Sequence, residues 1–186
     1  MQDVKQEIKQ EKYGHYSTPL LLQAYKEGPA KIRQCLEGLT LQDLKAHPIP
    51  GKWSIAEIVI HLADADIIGA CRFRQAYTSH PGDFPYYNEA EWADRMNYQG
   101  QSLDTIMLNL DLFELLRKTT GNLLDGCSES DWQKTGIHPE RGKMTMRGLL
   151  ELYADHSERH VAQILERIKL LGKESDVQVV LKDRLY

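Results

Sequence analysis

An all-α fold, a four-helix bundle, is what this sequence predicts, and three observations carry the prediction. Apolar residues recur at helical period along four long stretches, three of which open on a capping residue, Ser54, Ser102 or Thr145. Alternating, strand-like patterning is confined to a short tail (Val177, Val179, Leu181). Finally, the design of one helix recurs: Gly51-Lys-Trp-Ser-Ile-Ala-Glu-Ile-Val-Ile-His-Leu-Ala-Asp64 is echoed 91 residues later by Gly142-Lys-Met-Thr-Met-Arg-Gly-Leu-Leu-Glu-Leu-Tyr-Ala-Asp155. The chain therefore reads as two helical hairpins of one design. Its 186 residues suffice for one domain with an adequate core, expected over 1–186 with terminal extensions at 1–12 and 173–186.

The first helix is expected between Pro19 and Leu39, with Leu21, Tyr25, Ile32, Cys35, Leu36 and Leu39 on one stripe. Pro29 removes the hydrogen bond to Tyr25 and should bend it. Thr40-Leu-Gln-Asp43 caps a short turn, and His47-Pro-Ile-Pro-Gly51 is a loop by its prolines. Ser54-Ile-Ala-Glu57 is a capping box with Trp53 placed to staple the entry, and the second helix should run to about Ser79. Its inward stripe is Ile58, His61, Leu62, Ala65, Ile68, Gly69 and Arg72, with Asp64 flanking.

A long aromatic connection follows over 81–100. Twenty extended residues reach ~66 Å, whereas a helix of this size is ~38 Å long, so the crossover can return along the whole bundle. Helices two and three can then run parallel. Ser102 opens a third helix with Leu103, Ile106, Met107, Leu110, Phe113 and Leu124 inward, ending near Gly126. Ser128-Glu-Ser-Asp131 caps a short turn, and 135–143 is a loop holding His138, which reads as a surface histidine. The fourth helix runs from Thr145 to Gly172. Its inward stripe is Leu149, Leu152, Tyr153, His156, His160, Ile164 and Arg167, with Glu151 and Glu158 on the opposite face and Asp155 toward solvent.

Composition narrows the function. A net charge of −4 gives no electrostatic reason to expect nucleic acid, and no run approaches the 18 apolar residues of a membrane span. The charged lead-in Met1–Glu11 is no signal sequence. Cys35, Cys71 and Cys127 are odd in number and widely spaced, which argues for a reducing cytoplasm and small core residues rather than disulfides.

Three histidines fall on inward stripes. His156 and His160, four residues apart, present their rings one turn apart on one helix face. His61 lies seven residues past its cap and the other two eleven and fifteen past theirs, so antiparallel helices overlapping by about 18–22 residues bring all three level. In the echo, Ala65 and Gly69 stand where the other helix has His156 and His160, which leaves room at the centre. Three neutral imidazoles would leave a fourth position for water, the pattern of a catalytic zinc site. Two further readings stay open: a bundle pinned by a non-catalytic metal, and a metal-free interaction module with incidental histidines. Asp64 could orient a ligand, and Arg72 and Arg74 serve either an anionic substrate or an ion pair.

The combination Gly51-Lys-Trp-Ser…His61-Leu-Ala-Asp64, His138-Pro…Leu-Tyr-Ala-Asp-His156-x-x-x-His160 and Pro85-Tyr-Tyr-Asn-Glu-Ala-Glu-Trp92-Ala, over roughly residues 13 to 172, resembles the YfiT branch of the DinB-like superfamily. The resemblance implies an up-down-down-up bundle, often homodimeric, with His61, His156 and His160 holding one zinc or nickel ion per chain. It implies a cytoplasmic metal-dependent hydrolase, or a transferase moving a low-molecular-weight thiol such as bacillithiol onto an electrophile. The substrate would be a small molecule.

Overall fold

Four long helices carry the chain: α1 (Thr18–Cys35), α3 (Ile55–Tyr77), α5 (Leu103–Asp125) and α7 (Met146–Leu170). The computed structural model describes residues 15–79 and 82–181. Shorter pieces are α2 (Leu41–Lys45), α4 (Glu89–Arg95), a 3₁₀ turn (Tyr98–Gly100) and α6 (Glu129–Trp132). Local chemistry sets the boundaries. Ser17, Thr40, Ser54, Asn88, Ser102, Ser128 and Thr145 each accept a hydrogen bond from a backbone N–H three residues on, with reciprocal capping boxes at Thr40, Ser54 and Ser128. None of the helices is long and apolar enough to cross a membrane.

Contacts between named residues give the directions. Lys26 pairs with Asp125 and Arg33 with Asp111, so α1 and α5 are antiparallel. Arg167 donates to the Trp53 carbonyl (2.6 Å) while Arg72 reaches the Tyr153 hydroxyl (3.1 Å), so α3 and α7 are antiparallel. Arg147 donates to the Tyr16 carbonyl and Lys31 pairs with Glu158, which makes α1 and α7 parallel. Asp66 with Arg117, and Arg74 with Thr120, make α3 and α5 parallel. The topology is up-down-down-up, as the resemblance implies. Helices α1 and α3 each pack on α5 and α7, so the two members of each expected hairpin, α1 with α3 and α5 with α7, lie on the diagonals. The expected hairpins are therefore units of design, not packed pairs.

Apolar residues form two clusters. One is built on Ile32, Ile58, Leu62, Leu110, Phe113, Val161 and Ile164; the other on Leu21, Tyr25, Phe73, Leu124, Leu149, Leu150 and Tyr153. Between them along the helices lies a polar belt whose centre is Arg117, 1% exposed. Its guanidinium donates to the Asp66 carboxylate on α3 (Nη2, 3.0 Å), to the Tyr25 carbonyl on α1 (3.0 Å) and to the Tyr153 carbonyl on α7 (2.9 Å). It also stacks 3.9 Å over the Tyr25 ring. The Tyr25 carbonyl is the acceptor that Pro29 deprives of its helical partner, and α1 continues through Pro29 as one helix. Arg117 satisfies it. Gly28, beside the proline, meets Ser157 so closely that a Cβ there would sit 2.8 Å from it.

Several expectations need correction. The segment 135–143 is not a loop: β1 (Thr135–His138) and β2 (Gly142–Thr145) pair antiparallel, and Phe84 of the crossover donates to the Ile137 carbonyl (2.7 Å). Glu151 and Glu158 are buried at 2% and 1%, because α7 has α1 as well as α3 against it. Glu158 pairs with Lys31 and accepts the backbone N–H groups of Val180 and Leu181. The described part of the tail, 173–181, is thus docked, with Val177 and Leu181 buried, and forms no strand. Leu103 is 41% exposed and Cys71 is exposed. The charged lead-in 1–11 lies outside the described residues.

Removing Arg117 strands a buried carboxylate and two carbonyls. Arg117→Met should lose about 3–5 kcal/mol in urea unfolding, with part recovered in the Arg117→Met, Asp66→Leu double variant; a loss below about 1 kcal/mol would show that the belt is not a structural tie.

Candidate metal centre

His61, on the buried face of α3, and His156 and His160, on successive turns of α7, come together at one level of the bundle. The Nε2 of His156 is 2.9 Å from that of His61 and 3.1 Å from that of His160. The rings meet edge to face, with centroids 4.6–4.9 Å apart. The room opposite α7 is used differently from expectation: Gly69 accommodates the Tyr153 ring, which a Cβ there would meet at 2.6 Å, and Ala65 faces the cleft.

Hydrogen bonds set the tautomers. His160 Nδ1 lies 3.0 Å from Gln163 Oε1, an acceptor, so Nδ1 carries the proton and Nε2 a lone pair. His61 Nδ1 lies 2.9 Å from the Tyr87 hydroxyl. Tyr87 in turn bonds Tyr98, and Tyr98 donates to Asp64. With Asp64 ionised, every donor in this chain points toward the carboxylate, so His61 Nδ1–H donates and its Nε2 lone pair also faces His156. Asp64 thus reaches His61 only through two crossover tyrosines.

The single N–H that a neutral His156 could offer from Nε2 satisfies one of those neighbours, not both. Facing lone pairs at this separation call for a cation. A proton is disfavoured: burial pulls His61 down to about 3 and holds His156 and His160 well below the ordinary imidazole range. Three neutral imidazoles instead suit a divalent transition metal, and their donor atoms all lie within 4.8 Å of one another.

His61 and His156 line a cleft of about 410 Å³, with Ala65, Arg72, Tyr86, Tyr87, Glu89, His138, Arg141 and Arg159 among the other walls. The crossover and the β-hairpin form its mouth. Glu89 Oε2 lies 3.8 Å from His61 Nε2. Partial desolvation raises its carboxyl above the usual range although its outer edge stays in solvent. Sequence reasoning missed Glu89, whose only signal was its place in the aromatic crossover motif. It also misplaced two residues. His138 is buried at 6%, lowered to about 4 by burial and then by Arg72 and Arg141. Asp155 is buried at 1% beside Arg159 (3.5 Å). Of the two arginines singled out, Arg72 faces the cleft and Arg74 bonds Thr120 instead.

Fold and site together define an up-down-down-up helical bundle with a buried imidazole cluster opening on a cleft. Residues 24–164 match the model of the DinB superfamily, and the chain belongs to that family. It is 30% identical over 151 residues to a protein of Geobacillus thermodenitrificans, covering 80% of this chain and 83% of that one. It is 28% identical over 141 residues to one of Oceanobacillus iheyensis, covering 76% and 80%. Both relatives are named, provisionally, as metal-dependent hydrolases. YfiT of Bacillus subtilis, provisionally a metal-dependent hydrolase with an unusual four-helix-bundle topology, superposes with a TM-score of 0.78 at 25% identity over 86% of this chain and 91% of its own. The mycothiol-dependent maleylpyruvate isomerase shares the fold alone, with a TM-score of 0.60 at 13% identity over 88% of this chain and 65% of its own.

The buried histidines give metal-free protein an acid sensitivity. Their pKa values are depressed on folding, so between pH 6.5 and their folded values the unfolded chain binds more protons and stability is lost as the pH is lowered. From pH 7 to 5.5, His61 and His138 should each cost about 1 kcal/mol in urea unfolding, with His156 and His160 acting in the same direction. Asp64, Asp66 and Glu89, whose carboxyls burial raises, work in the opposite sense. A flat profile over that interval would contradict neutral, buried imidazoles.

Proposed function

We propose that this chain is a metal-dependent enzyme acting on a small molecule, with His61, His156 and His160 holding one divalent ion, zinc or nickel. The observation that supports it is the convergence of three Nε2 atoms at the wall of a cleft. The provisional names of the bacterial relatives point the same way. A divalent ion held there lowers the pKa of water or a thiol and polarises an electrophile. The reaction is hydrolysis, or S-transfer of a low-molecular-weight thiol to an electrophile, since an imidazole-held divalent ion accepts a thiolate as readily as water.

The chain's own residues do the rest. Gln163 and the Tyr87–Tyr98–Asp64 chain hold the His160 and His61 rings with Nε2 forward. Glu89 Oε2, with its raised affinity for protons, takes the proton that water or thiol gives up beside His61. Tyr87, Tyr86 and Tyr153 wall the cleft and exclude bulk water. Alternatives in which the metal only pins helices, or is absent, are not favoured by a cleft opening on two of the three rings. We further propose self-association as a homodimer, supported by the outward stripe Leu108, Leu112 and Leu115 of α5, exposed at 66%, 37% and 58%.

Elemental analysis of protein purified without a histidine tag should find about one divalent ion per chain, and His156→Ala should lose it; unchanged metal in that variant sinks the reading. Tyr87→Phe should keep the fold and weaken metal affinity ~10–100-fold. In sedimentation velocity, Leu108→Arg with Leu115→Arg should convert a dimer to a monomer, while a wild-type monomer rejects the proposed association.

A further inference from the structure

Arg72 has no role in the centre proposed above, yet it is built into the same cleft. It is 6% exposed. Its Nη1 donates to the Tyr153 hydroxyl (3.1 Å) and its Nη2 to the Pro85 carbonyl (2.8 Å), both neutral acceptors. The buried Nε has no partner, and no carboxylate of the described residues pairs with the guanidinium. Arg117, by contrast, is matched by Asp66, and Arg167 has its Nε satisfied by the Trp53 carbonyl, whereas the Arg72 Nε has nothing. A buried guanidinium without a counter-ion is costly, and such a cost is retained where a ligand supplies the missing charge.

The surroundings reinforce this. Arg141, Arg159 and His138 line the same cleft, whose acidic groups are Glu89 and Glu140. Arg72 and Arg141 both bear electrostatically on His138; of the charges near it, Arg141 feels Glu140 first and then Arg159 and Arg72, and Arg159 is paired with Asp155, so Arg72 is the cation of this cleft with no carboxylate of its own. Gathering cations around a concave, partly desolvated space makes an anion site. The tyrosine and backbone bonds fix the guanidinium plane, leaving the remaining Nη–H donors for an oxyanion.

We infer that the Arg72 end of the cleft is a carboxylate-binding subsite, so that the substrate class is an elongated small molecule carrying a carboxylate at one end and its reactive group at the other. The placement of the reactive end rests on the proposed metal centre; the subsite itself does not. Eleven residues separate His61 and Arg72 on α3, a rise of about 16 Å between Cα atoms. Side chains of both lean toward the helix N-terminus, and the longer arginine reaches further that way, which puts the guanidinium roughly 10 Å from the histidines. The carboxylate and the reacting atom are then several bonds apart, and discrimination lies in that spacing.

The probe is hexanoate against its neutral isostere hexanamide, titrated into metal-free protein and followed by ¹H–¹⁵N NMR. Wild type should bind hexanoate at least ~10-fold more tightly, consistent with one charge-assisted pair. In Arg72→Gln the ratio should fall to about one with hexanamide binding unchanged, while Arg74→Gln, which removes a charge from the same helix outside the cleft, should keep it. Equal binding of the two probes by wild type overturns the proposal and requires no variant to fold; so does a preference surviving in Arg72→Gln. Elemental analysis on the same preparations separates the two readings. Metal at the histidines without carboxylate preference removes the subsite alone, and carboxylate preference without metal uptake removes the metal centre alone.

Discussion

One guanidinium sets the level at which the four rods meet. Arg117 sits on α5 and contacts a side chain on α3 and main-chain carbonyls on α1 and α7. An apolar core alone leaves helices free to slide by a turn at modest cost, because one methyl contact replaces another. A buried charge that needs three named acceptors does not allow that. Asp66 lies five residues from His61, and Tyr153 three residues from His156, so the bond that fixes α3 against α7 also brings the imidazoles level. The proline in α1 belongs to this arrangement: it frees the carbonyl that Arg117 uses. Stability and site geometry thus share one residue.

The second constraint is topological. Parallel neighbours α3 and α5 require the chain to travel back along the bundle between them. Residues 78–102 make that return, and nothing in helix packing dictates how they do it. Here they supply α4, the Phe84 contact with the β-hairpin, and the tyrosines that close one side of the cleft. Tyr87 and Tyr98 connect His61 to Asp64, which lie three residues apart on one helix and have separate partners. A connection needed for chain geometry has become the wall and the hydrogen-bonding frame of the site.

This division explains what could be read from the sequence. Helix boundaries were legible because caps are local chemistry: Ser54, Ser102 and Thr145 act within three residues of themselves. The histidine convergence was legible because it needs only helical period and cap offsets. What failed involved partners distant in sequence. Glu151, Glu158 and Asp155 looked solvent-facing because a helical wheel assigns each helix one inward face, whereas α7 contacts α1, α3 and the tail. Arg117 falls on the same stripe as Phe113 and Leu124, and its charge hid it; only Asp66 and the freed carbonyl give it a reason to be inside. Strands of four residues are too short for period-two patterning, so the hairpin that buries His138 left no trace.

The electrostatics of the cleft then follow from what lines it rather than from the chain as a whole. A net charge of −4 would predict a surface that repels anions. Yet the acidic groups on α5 and α1 lie across the bundle, paired or exposed, and screening over about 8–10 Å at physiological salt removes their influence from the cleft. Inside it, low dielectric magnifies near charges: Arg72 and Arg141 stand among two glutamates and Arg159, which is paired with Asp155, before any cation at the histidines is counted. The same burial that keeps His61, His156 and His160 neutral, and so competent to share a metal, also leaves Arg72 uncompensated. Both features push toward a ligand that is negatively charged, and both come from α3 and α7 being clamped together around a small central glycine at position 69.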